Sequence, residues 1–236
     1  MIIAMILAHL VGDYILQWDS LARWKSCELK GVLVHGLVIL AVTWLFALPF
    51  DPGWWQGILF ISITHVLIDA AQLYYHPPIP PLLRFTIDQA LHFTMIFIAL
   101  AAGGFLSLSS LGPDLIAGAT TTPWLTAVTF YAFVTMPAWV LLKFLVYAFV
   151  KHSPPEFPGK PNKYVGISER LIIMTMVVFG QVLLVPLVAL PRVLLTWPRT
   201  QSHQMSHQID PVYMADLATS ILLAVLTGYA LRLLPL

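Results

Sequence analysis

Residues 1–17 read MIIAMILAHLVGDYILQ, and residues 58–74 read ILFISITHVLIDAAQLY. Each is an apolar run long enough to approach the roughly 20 residues of a membrane-spanning helix. Each is interrupted by a histidine followed four residues later by an aspartate: His9 and Asp13, then His65 and Asp69. On a helix, residues four apart share a face. These stretches set two expectations: membrane helices, and a polar cluster between them.

The rest of the chain agrees. Of its 236 residues 59% are hydrophobic and only 10% charged, with a mean hydropathy of +0.84. A soluble domain carries about 25% charged residues. The composition excludes a disordered chain and a disulfide scaffold, since there is one cysteine, Cys27. A formal net charge of +1 gives no basic surface for a nucleic acid.

Apolar runs bounded by proline, glycine and charge predict about seven spans: 1–17, 31–47, 54–75, 82–102, 124–150, 168–189 and 211–234. Pro137 is the expected kink of the fifth, and 151–165 reads as a proline-rich linker. The first run lacks a basic leader region and is read as a retained span. The fold class is all-α, a polytopic membrane bundle. Residues 1–102 form its four-helix core, and 103–236 supply three further spans rather than a soluble domain. Arg23, Lys25, Lys30, Arg84, Lys151, Lys160 and Lys163 fall in odd-numbered loops, while Arg192 and Arg199 break the alternation. That bias predicts an outside N-terminus and a cytoplasmic C-terminus.

Charged groups cost about 2.5–3.5 kcal/mol each inside hydrocarbon. Yet the first four spans hold His9, Asp13, His35, His65, Asp69, Asp88 and His92. Asp88 and His92 make a third pair at a spacing of four. Counted from the cytoplasmic ends at about 1.5 Å per residue, all seven fall in one layer roughly 6–14 Å deep. Ala8–Asp13 resembles Thr64–Asp69, and each is followed 22 or 23 residues later by a histidine, His35 or His92. The first four spans thus read as two repeated hairpins.

Imidazole nitrogen and carboxylate oxygen are ligands for zinc, manganese or iron. All seven residues are candidate ligands, with Asp13, Asp69 and Asp88 as candidate bases. Bis-histidine haem ligation is the competing cofactor, but it has no use for the carboxylates. Elsewhere, Lys143 reads as snorkelling to the surface. Ser168 reads as an N-cap before an interfacial Glu169–Arg170 pair, and His203 with His207 as a solvated loop.

On these residues the chain resembles a bacterial family of polytopic membrane proteins catalogued as domain of unknown function 3307. The carrying segments are Ala8–Gln17, His35, His65–Asp69, Asp88–His92 and Gly166–Ile173 with Gly180–Gln181. A looser similarity, in the placing of His and Asp within the membrane, links it to membrane-bound metal-dependent hydrolases. That likeness implies a hydrolase. Three functions follow as expectations: a metal-dependent hydrolase of a membrane-associated, amphiphilic substrate; a metal-ion or proton transporter; or a structural subunit of a larger membrane complex.

Overall fold

The computed structural model describes residues 1–157, 160–201 and 211–234. Among these the regular structure is all helix, without strands. Four helices are long and apolar enough to cross a membrane, or up to six if two bent pairs each count as one span. His203 and His207 lie outside the described residues.

The chain forms two units, Met1–Ala132 and a second from Phe133 onward. The first contains α1 (Ile2–Leu10), α2 (Asp19–Lys25), α3 (Leu29–Ala47), α4 (Trp55–Tyr74), α5 (Pro81–Ala102) and α6 (Leu111–Thr121). α3, α4 and α5 lie within two residues of the expected spans. Their ends follow the punctuation of the sequence. α3 stops before Pro49, α4 before His76-Pro77, and α5 before Gly103-Gly104, where Gly104 adopts φ 74°. Proline disfavours helical backbone in the residue before it, and glycine takes the left-handed conformation freely. Pro81 opens α5, where its missing N–H and fixed φ suit a first turn. α1 packs on α3 and α5, α3 on α4, and α4 on α5, so the four helices close into a ring. α3 and α4 cross closely at Gly36, where a Cβ would overlap Val66 Cγ2.

The first span differs from its expected course. The helix widens at Val11–Ile15 into a π-helical turn carrying Asp13, and then bends by 91° into α2. Such π-turns recur at functional sites. The first loop is therefore a short helix. It lies tightly on the first turn of α3, where a Cβ on Gly31 would sit 2.5 Å from Lys25 N and from Trp24 C. α6, which packs against α1, was not expected. Its 11 residues are too few to span.

α7 (Pro123–Val134) and α8 (Met136–Val146) divide the expected fifth span, with a bend of 42°. The break falls at Thr135 (φ −81°, ψ −116°) rather than at Pro137, which sits in the first turn of α8. α9 (Lys160–Val178) starts inside the expected linker, and Ser168 lies in its interior rather than at a cap. The helix ends at Gly180, φ 79°, and α10 (Val185–Gln201) follows. The expected sixth span is thus divided between two helices. α11 (Pro211–Leu233) matches the seventh. In the second unit α9 packs on α11 through Ile173, Val177 and Ala224, and Val185 of α10 joins the same cluster.

Arg170, 2% exposed, answers the break in the chain. Its Nε donates to the Val134 carbonyl at 2.7 Å, Nη2 to that of Thr135 at 3.1 Å, and Nη1 to Ser220 Oγ at 3.1 Å. Carbonyls freed where a helix stops must find donors when water is excluded. The expected Glu169–Arg170 pair is therefore not formed, since adjacent helical residues face apart. Glu169 accepts from Arg192 Nη1 at 2.9 Å. Arg192, expected in a loop, lies in α10, and its Nη2 reaches Asp216 at 3.0 Å. Lys143 does not snorkel, because its ammonium pairs with the same Asp216 at 3.2 Å.

Candidate metal centre

The ring of α1, α3, α4 and α5 brings the predicted residues together. His35 Nε2 lies 3.0 Å from Asp13 Oδ1, 3.2 Å from His65 Nε2 and 3.7 Å from Asp69 Oδ2. His65 Nε2 lies 3.7 Å from Asp13 Oδ1 and 3.5 Å from Asp69 Oδ2. Five of the six separations among these four atoms thus fall between 3.0 and 3.7 Å. Nitrogen and oxygen ligands at about 2.0–2.1 Å from zinc, set tetrahedrally, stand about 3.3 Å apart. The donor set therefore fits a divalent ion in chemistry and in spacing. Two overlapping triads, Asp13–His35–His65 and His65–Asp69–His92, hold their ligand atoms within 4.8 Å of one another.

His92 completes the second triad. Its Nδ1 lies 3.0 Å from the Asp88 carbonyl, which only accepts, so Nδ1 carries the proton. Nε2 then presents its lone pair, and it is buried without a hydrogen-bond partner. A histidine whose second nitrogen is anchored on a carbonyl is the usual pattern for a ligand. Asp88 stands at the edge of the cluster, its Oδ1 3.7 Å from His92 Nδ1.

His9 is placed differently. The π-turn separates it from Asp13. Its Nε2 donates to Gln89 Oε1 at 3.1 Å, and its ring stacks on His92 at 5.4 Å between centroids. Gln89 Nε2 donates in turn to Asp88 Oδ2 at 2.9 Å and Asp13 Oδ2 at 3.4 Å. Four pairs among the imidazoles stand 4.1–5.8 Å apart between ring centroids.

Two participants were not foreseen. Gln89 is one; being neutral, it carries no burial cost large enough to mark it. Lys25 is the other. Its ammonium contacts Asp13 Oδ1 at 3.3 Å and Asp69 Oδ1 and Oδ2 at 3.2 and 3.1 Å. In the sequence it reads as a loop charge, and only the bend before α2 returns it to the site. His35 is fully buried, while Lys25 and Asp88 keep 20% and 18% side-chain exposure. The cluster thus opens towards Lys25 and Asp88.

Residues 1–112 match the family described as "Protein of unknown function (DUF3307)". These residues belong to that family. The DUF3307 region includes all seven predicted site residues together with Lys25 and Gln89. No curated protein and no solved structure matches the chain.

Proposed function

We propose that the DUF3307 region holds a divalent metal ion inside a multi-pass membrane protein and uses it to hydrolyse a membrane-associated, amphiphilic substrate. The metal half rests on one observation: Asp13 Oδ1, His35 Nε2, His65 Nε2 and Asp69 Oδ2 converge from three separate helical segments, with five of their six separations at 3.0–3.7 Å. Either triad, Asp13–His35–His65 or His65–Asp69–His92, would hold a divalent ion with three protein ligands and so keep a position for water, and the ion would supply a Lewis acid there. The remaining chemistry falls to the chain. Asp88 Oδ1 and His92 Nε2 are buried without hydrogen-bond partners beside the donor set, so either can hold a proton. Gln89 orients Asp13, Asp88 and His9.

The site opens beside α2, so a substrate reaches it from the headgroup layer. With the N-terminus outside, that layer is the cytoplasmic one. A transport path finds less support. Beyond His35 and His65, the only hydroxyl side chains that α3 and α4 bury are Thr43 and Ser62, and Ser62 donates to the Ile58 carbonyl. A purely structural network finds less support as well, because one that closed on itself would not leave His92 Nε2 unpartnered.

The test is zinc- or manganese-loaded protein in mixed micelles, assayed against ester, amide and phosphodiester amphiphiles. Metal-dependent turnover lost in both His65→Ala and Asp88→Asn is expected. No turnover on any of the three bond classes, by protein with metal bound, overturns the hydrolase.

A further inference from the structure

Lys25 and the donor set share atoms. Two of the three oxygens around its ammonium, Asp13 Oδ1 and Asp69 Oδ2, also belong to the donor set. A metal ion among those donors would share both oxygens with the ammonium. The two carboxylates are only 6–7% exposed, so the two cations would repel with little solvent screening. One of them must give way.

The backbone at Lys25 is held in place. Gly31 on α3 sits so close to Trp24 and Lys25 that not even a methyl group fits between them. The side chain is free to leave. It keeps 20% exposure and has a flexible four-carbon stem of the kind that carries lysine ammoniums out to the headgroup layer. We infer that Lys25 is a resident counter-cation. It holds Asp13 and Asp69 together when no metal is bound, swings outward when a divalent ion binds, and so sets the charge threshold for occupancy. The inference rests on the metal reading above. A monovalent ion brings no more charge than the ammonium it displaces. A divalent ion neutralises both carboxylates at once. Lys25 thus acts as a specificity-determining residue against monovalent cations, and as one that lowers affinity for divalent ones.

The experiment is a zinc titration against a competing chelator indicator, on full-length protein in detergent. Wild type is set beside Lys25→Gln, Lys25→Arg and His65→Ala. Lys25→Gln is expected to bind zinc about tenfold tighter or more, the size of effect that groups bonded to metal ligands produce. Lys25→Arg, which keeps the charge, should stay near wild type. A second measurement needs no variant: mass-spectrometric footprinting with an amine-acetylating reagent. Added zinc should raise the labelling of Lys25 relative to Lys30 several-fold. Equal zinc affinity in wild type and Lys25→Gln, or Lys25 labelling unchanged by bound zinc, overturns the counter-cation role and leaves the metal centre standing. No zinc binding by wild type or Lys25→Gln overturns both.

Discussion

Gly36→Ala probes whether the site depends on how closely α3 and α4 cross. Gly36 follows His35 on α3, and Val66 follows His65 on α4. A Cβ at Gly36 would overlap Val66 Cγ2. Carbon atoms settle about 3.5–4.0 Å apart, so, with Val66 held in its packed rotamer, the two helices must part by more than an ångström. His35 Nε2 and His65 Nε2, now 3.2 Å apart, would then stand beyond about 4 Å, against the 3.3 Å or so that a tetrahedral ion asks of its donors. Overpacking of this kind costs roughly 1–3 kcal/mol of stability. The loss of zinc affinity should reach about 10–100-fold, as when groups that orient metal ligands are removed. Calorimetric zinc titration reads the affinity, and the cobalt-substituted spectrum reads the ligand geometry. Val66→Ala removes the methyl that the new Cβ meets, so the double variant Gly36→Ala/Val66→Ala should recover most of the lost affinity. Wild-type affinity in Gly36→Ala, or no recovery in the double variant, would refute the claim that this crossing sets the donor spacing.

Other perturbations separate the parts of the molecule. Gln89→Leu cuts the link from His9 to Asp13 and Asp88 and should weaken zinc binding about 10–100-fold, read by the same titration. Arg170→Met strips the donors from the Val134 and Thr135 carbonyls, at roughly 1–3 kcal/mol for each group left unsatisfied. Thermal unfolding in detergent should show that loss with zinc binding intact, and an unchanged midpoint would remove Arg170 as the cap of the broken helix. Asp69→Asn takes a donor oxygen from the set and half the anchor from Lys25, so zinc stoichiometry should fall while the protein stays folded.

The spans at α3, α4, α5 and α11 were legible because proline, glycine and length settle where a long apolar helix ends. Five of the seven candidate ligands, Asp13, His35, His65, Asp69 and His92, fall in groups that could hold a metal, and they were legible as candidates because each is costly in hydrocarbon. Two of the three pairs spaced by four do meet, His65 with Asp69 and Asp88 with His92. The third does not, because the π-turn at Val11–Ile15 breaks the period on which the expectation relied. Lys25 was illegible for want of the 91° bend that returns it to the cluster. The kink expected at Pro137 falls two residues earlier, at Thr135, and the break between α9 and α10 was read as a continuous span, because hydropathy does not register backbone breaks. It also does not register the long-range contacts by which Arg170 satisfies one of them.

The most direct measurement is the metal content of detergent-purified protein that has never met a chelator, wild type beside His65→Ala. One tightly held zinc, manganese or iron per chain in the wild type, absent from His65→Ala, is the expected result. No metal in the wild type, or metal equally retained by His65→Ala, would contradict a metal centre built on Asp13, His35, His65 and Asp69.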